Sequence, residues 1–160
     1  MSPLADQVLP LIRTCSDLHR WSAANAHGRQ MNEAVDILEA AVPTSDPADV
    51  YSVTHRALAS ALKVIARADD SSGIIGDAVR RLLELHPRAA AAAQVPAKKL
   101  VDWMMAFQFE GEVDYFELDP VAYAPALGEA GIAAYRARLE EVRASLPPEP
   151  PGAKRFAGPD

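Results

Sequence analysis

Apolar residues recur every three or four positions along most of the chain, and proline or glycine interrupts this pattern at several unevenly spaced points. Such spacing places the apolar side chains on one face of an α-helix. Asp46-Pro47 and Asp119-Pro120 are typical helix starts, because the carboxylate can accept free N–H groups and proline suits the first helical position. Alanine, at 31 of 160 residues, adds strong helix propensity. The sequence therefore predicts an all-α fold.

The pattern predicts six or seven helices, arranged in a compact bundle or in a short stack of helical hairpins. Pro10 is expected either to kink the first helix or to divide it into two shorter pieces, Gly28 to stop a helix, and Pro87 to cause a break followed by a short helical continuation. Residues 1–146 are expected to form a single helical domain, and the proline-rich residues 147–160 a flexible tail. The predicted helices span residues 4–26, 29–42, 47–68, 72–86, 97–109, 120–127 and 131–146.

Charge is distributed unevenly along the chain, which has a net charge of −6. Residues 100–131 carry seven acidic residues and no lysine or arginine, whereas residues 47–99 are slightly basic. Either the two segments attract each other within the fold, or the acidic segment meets a basic protein partner. The acidic excess argues against direct nucleic-acid binding, which needs clustered basic residues.

Two further features bear on location. No apolar run approaches the ~20 residues that span a bilayer, so no membrane association is expected. The beginning of the chain lacks the pattern of a signal peptide, and the single cysteine, Cys15, cannot form an internal disulfide. The sequence therefore predicts a cytoplasmic protein.

Five short sequence motifs between residues 69 and 143 occur in a recognisable order: Asp69–Gly73, Leu85-His86, Trp103–Gln108, Phe116–Pro120 and Leu127–Tyr135. In this order the segment resembles a poorly characterised bacterial family of helical domains. Some members of that family resemble the C-terminal partner of a SWIM-type zinc finger. The cysteines and histidines of the finger itself have no counterpart here. The resemblance therefore implies a fold and a context near nucleic acid, without an activity.

Six of the ten aromatic residues lie between Trp103 and Tyr123, interleaved with acidic residues. Trp103 and Phe107 are four positions apart and should touch along one helix face. The cluster is either a core that fixes the following irregular segment or a groove for a peptide or a partner helix. The candidate interaction surface consists of Trp103, Phe107, Tyr115, Phe116 and Glu117.

The sequence identifies no catalytic residue, no metal ligand and no cofactor-binding motif. Asp70 and Ser72 are interpreted as candidate caps for the helix that follows them. The leading hypothesis is a non-enzymatic helical protein-interaction or accessory module. Its partner is an unknown protein, and the candidates are a basic protein and a second copy of the chain in a homo-oligomer. One alternative is an enzyme with a scattered site that draws on Asp70, His55, His86 or Glu117. Another is an accessory factor that joins a nucleic-acid-associated complex through a protein partner.

Overall fold

The computed structural model describes residues 2–14, 16–110, 113–114 and 118–145. Two strands of two residues each, β1 (Phe109–Glu110) and β2 (Val113–Asp114), pair in the antiparallel direction. The predicted all-α class with six or seven helices is confirmed, since the described residues form six helices. These are α1 (Pro3–Ile12), α2 (Trp21–Ala41), α3 (Pro47–Ile65), α4 (Ile74–Ala92), α5 (Ala97–Gln108) and α6 (Ala124–Ser145).

The chain divides into two compact units, Met1–Ala93 and Gln94–Asp160. In the first unit α4 packs against α2 and α3, while α1 packs against the same two helices. Helices on both sides of the Asp69–Gly73 connection therefore share one core. In the second unit α5 packs against α6. The expectation of a single domain over residues 1–146 stays a prediction, and the proposed tail at 147–160 lies outside the described residues.

The first predicted helical stretch, residues 4–26, is divided into two pieces, which is one of the two outcomes expected at Pro10. The helix α1 ends at Ile12, and residues 16–19 form a turn before α2 begins at Trp21. Leu18 in this turn is buried, and its carbonyl accepts a hydrogen bond from the N–H of Asp69 at 2.9 Å. The turn is therefore held by a distant connection of the same unit, which local helical spacing does not reveal.

Gly28 does not end a helix, contrary to the prediction, because α2 continues through it to Ala41. A Cβ at this position would lie 2.6 Å from Ile74 Cγ2 and 3.1 Å from the backbone nitrogen of Ile75. No side chain fits at these distances. The glycine is therefore needed for the close approach of α2 to the beginning of α4.

Pro87 and Gly128, two further residues at which the sequence predicts an interruption of a helix, have different effects on the backbone. Pro87 is buried inside α4, which continues to Ala92 without the expected break, and the alanines that follow favour this continuation. Gly128 has φ +67° and interrupts the helical conformation within α6, at the position where the sequence predicts a helix stop.

A polar seam joins α2 to α4 beyond the glycine contact. The Asn32 amide nitrogen donates to the carbonyls of Gly28 at 2.9 Å and Ile74 at 3.0 Å. Arg81 Nη1 donates to Asn32 Oδ1 at 3.0 Å, and Arg81 Nη2 donates to Asp36 Oδ1 at 2.5 Å. Because Asn32 bonds to backbone on both helices, it fixes their relative register as well as their separation.

Replacement of Gly28 by alanine should lower the free energy of unfolding by about 1–3 kcal/mol, because the added methyl group overpacks the contact with Ile74. Urea unfolding of the variant measures the loss. The second substitution Ile74→Ala removes the Cγ2 atom nearest to the new methyl group. The loss in the double variant should therefore be smaller than the sum of the two single losses. Additive losses would contradict the close-approach interpretation.

Candidate functional site

The Asp69–Gly73 connection is organised by the carboxylate of Asp70. Asp70 Oδ1 accepts the N–H of Ile75 at 3.0 Å, and Oδ2 accepts the N–H of Gly76 at 2.8 Å. These donors belong to the first turn of α4, where N–H groups have no partner within the helix. A Cβ at Gly76 would lie 3.3 Å from Asp70 Oδ2, so the glycine leaves room for the carboxylate. Asp70 thus satisfies the helix terminus.

Ser72, the other candidate cap, forms a different contact. Its hydroxyl donates to Asn25 Oδ1 at 2.5 Å, and Asn25 is buried in α2. The residue directly before α4 is Gly73, with φ +75°, and no side chain there accepts a helical N–H. Ser72 therefore ties the connection to α2, while Asp70 bonds to α4.

Replacement of Asp70 by alanine should lower the free energy of unfolding by about 0.5–2 kcal/mol, because two N–H groups lose their acceptor. The matched control is Asp69→Ala: Asp69 is exposed, and its side chain accepts a bond from the Ser71 hydroxyl. The control should stay within about 0.5 kcal/mol of the wild type. Chemical denaturation of both variants checks this, and equal losses would contradict a capping role.

The aromatic residues of α5 form a stacked platform. The rings of Trp103 and Phe107 lie 5.4 Å apart with an interplanar angle of 24°, and both side chains are partly exposed. The Trp103 ring is also 6.4 Å from that of Tyr123, which is buried. The contact between Trp103 and Phe107 expected from their spacing is present. The platform therefore combines a buried anchor with two rings that reach the surface.

Three residues of the candidate interaction surface, Tyr115, Phe116 and Glu117, lie outside the described residues. The exposed end of Asp102, next to Trp103 in sequence, forms an ion pair with Arg138 of α6. The assignment of this surface to binding stays a prediction.

A pair of histidines forms the second candidate site, in the first unit. His55 Nδ1 of α3 lies 3.0 Å from His86 Nε2 of α4, within hydrogen-bond distance. The two rings are stacked at 5.2 Å, and the Tyr51 ring lies 5.6 Å from His55 and 5.4 Å from His86. His86 is completely buried, whereas His55 and Tyr51 are partly exposed. The pair thus runs from the core to the surface.

The sequence analysis assigned both histidines to the alternative hypothesis of an enzyme with a scattered site, but it gave no reason to expect that they contact each other. They are 31 positions apart on different helices, so only the packing of α3 on α4 joins them. The helical position of His86, on the apolar face of α4 among Leu82, Leu85 and Ala89, was the one available signal of burial. Asp70 is engaged in its cap, and Glu117 lies outside the described residues.

Burial is the main reason that the pKa of His86 is lowered from 6.5 to about 3, and the nearby charge of His55 lowers it further. The folded protein therefore keeps this imidazole neutral through mild acid, whereas the unfolded chain protonates it below pH 6.5. Since the unfolded state then binds more protons, acidification destabilises the fold between pH 6.5 and pH 3.

Acidification from pH 7 to pH 5 should lower the free energy of unfolding by about 2 kcal/mol through His86 alone, because each pKa unit corresponds to ~1.4 kcal/mol. Urea unfolding across this range measures the slope. The variant His86→Gln should lose most of it and retain only the smaller contribution of groups such as His27, whose pKa is lowered mainly by burial. The exposed control His19→Gln should keep the wild-type slope, and an unchanged slope in His86→Gln would contradict the assignment.

An open groove of about 570 Å³ lies in the first unit, where the beginning of α1 meets the end of α2 and the beginning of α3. Its lining is apolar at Leu4 and Ile37 and acidic at Asp46 and Asp49. None of the residues predicted from the sequence to act in binding or catalysis lines it.

The described residues contain neither a cluster of metal ligands nor a membrane-spanning helix. No group of three or more histidine, cysteine, aspartate or glutamate side chains is arranged to hold a metal ion. Among the same residues, no helix combines the length and the apolar character needed to cross a membrane.

Comparison with known proteins gives one match. A family of unknown function, DUF6880, matches residues 6–158, which includes the segment 69–143 that carries the resemblance and extends beyond it on both sides. No curated protein and no solved structure matches the chain. The match agrees with the resemblance to an uncharacterised family, and the link to SWIM-type zinc fingers stays a prediction. Because the match covers nearly the whole sequence, the chain belongs to DUF6880, a family of unknown function.

Proposed function

We propose that the chain is a non-enzymatic helical interaction module that binds a basic segment of a partner protein at the aromatic platform of α5. The observation that carries this proposal is the stacked pair Trp103 and Phe107, which stays partly exposed within a segment rich in acidic residues. In this proposal the module acts in the cytoplasm as an accessory or recruiting factor.

The geometry of the platform suits recognition of a side chain or a helix. The rings of Trp103 and Phe107 are held against each other, and Trp103 also contacts the buried Tyr123, so little side-chain entropy remains to be lost on binding. Tryptophan is among the residues that contribute most to binding energy at protein interfaces. A partly exposed, pre-positioned tryptophan therefore supports a contact surface.

Charge indicates the kind of partner. Residues 100–131 carry seven acidic and no basic residues, and Arg138 offsets one of these charges by its ion pair with Asp102. Lysine or arginine side chains gain from this field, and they can also lie over an aromatic ring face. Phosphate groups are repelled by it, so a basic protein segment fits better than a nucleic acid.

The two alternative functions have less support. Of the three described residues grouped for an enzyme site, His55 and His86 lie together and Asp70 is engaged as a helix cap. A role in a nucleic-acid-associated complex rests on the zinc-finger association alone.

A selection of random displayed peptides on the variant Trp21→Phe tests the proposal, because Trp103 is then the only tryptophan of the chain. The selected peptides should be enriched in lysine and arginine. They should change Trp103 fluorescence with an affinity that falls as salt rises from about 0.05 to about 0.5 M, because screening weakens attraction between exposed charges.

The matched control is Trp103→Phe, in which the exposed Trp21 is the only remaining tryptophan and reports by its fluorescence. Its fluorescence should not respond to the same peptides. Selected peptides without a basic bias, or an equal response from both reporters, would contradict the proposal.

A further inference from the structure

The pairing of His55 and His86 has a consequence beyond the interaction module. Two imidazole nitrogens converge at 3.0 Å, one from a buried ring and one from a ring that reaches the surface. We propose that His55 Nδ1 and His86 Nε2 form a binding site for a borderline divalent cation, represented by Zn²⁺. This site lies in the first unit and does not depend on the proposed function of the α5 platform.

The distance between the nitrogens suits a shared cation. With Zn–N bonds of about 2.05 Å, two nitrogens 3.0 Å apart subtend an angle of about 95° at the metal, between square-planar and tetrahedral values. To coordinate this cation, the lone pair of each nitrogen has to point about 40° away from the line that joins the two nitrogens. Rotation of the imidazole rings supplies this change, so the two helices can stay in place while the cation replaces the proton between the rings.

The local scaffold holds both rings near this geometry. His55 belongs to α3 and His86 to α4, two helices that pack against each other in the first unit. The Tyr51 ring, one helical turn before His55, contacts both imidazoles at 5.6 and 5.4 Å. Ligands positioned before the metal arrives lose less entropy on binding than ligands on mobile loops.

The donor set also selects the class of cation. Imidazole nitrogen suits Zn²⁺, Cu²⁺ and Ni²⁺, whereas Mg²⁺ and Ca²⁺ require oxygen ligands. Among the described residues no third histidine, cysteine or carboxylate joins the pair in a ligand group. Within the described part of the chain the site therefore has two protein ligands, fewer than a closed structural zinc site has.

Titration of the full chain with ZnCl₂, followed by ¹⁵N NMR of the histidine rings, tests the proposal. One equivalent should shift the resonances of His55 Nδ1 and His86 Nε2 together. Free Zn²⁺ at about 100-fold its dissociation constant should raise the folding equilibrium constant about 100-fold, and MgCl₂ at the same concentration should have no effect.

The variant His55→Gln should abolish this binding, and it is the principal test because His55 is the partly exposed ligand of the pair. His86→Gln is the second variant, since it removes the buried ligand. The controls His19→Gln and Cys15→Ser should bind Zn²⁺ as the wild type does. Equal binding by wild type and His55→Gln, shifts confined to His19, His27 or Cys15, or no saturable binding would each overturn the proposal.

Discussion

The close approach of α2 to the beginning of α4 is the constraint on which the first unit depends. Gly28 allows Ile74 to reach the backbone of α2, and Asn32 then bonds to both helices within one turn of that contact. The position of α4 in turn determines where His86 meets α3. A side chain at residue 28 would separate the helices, and the hydrogen bonds of Asn32 and Arg81 depend on that separation.

The Asp69–Gly73 connection shows why an acidic, serine-rich phrase need not be a functional site. The carboxylate of Asp70 is used by two N–H groups of α4, and the hydroxyl of Ser72 is used by Asn25 of α2. Both polar groups form hydrogen bonds with partners within the fold. The motif that dominates the sequence pattern is therefore explained by helix capping and by packing of the connection on α2.

The histidine pair and the aromatic platform differ from the Asp69–Gly73 connection, because neither of them caps a helix. Burying an imidazole disfavours its charged form and makes stability depend on pH, so His86 destabilises the fold in acid. Trp103 and Phe107 keep part of their surface exposed, while Trp103 packs on the buried Tyr123.

The sequence by itself determined most of the helical segments, because apolar spacing, proline and glycine act over a few positions: it predicted the all-α class, the start of α3 and the interruption at Gly128. The helix start predicted at Asp119-Pro120 is wrong, since α6 begins at Ala124, and the Asp46 side chain forms no capping hydrogen bond. It also placed Trp103 against Phe107, four positions away on one helix. Tertiary structure decided what depends on distant partners. Gly28 has the sequence features of a helix stop but serves a helix contact, and His55 meets His86 because α3 packs on α4. Such contacts join residues 31 to 49 positions apart, and no local pattern encodes them.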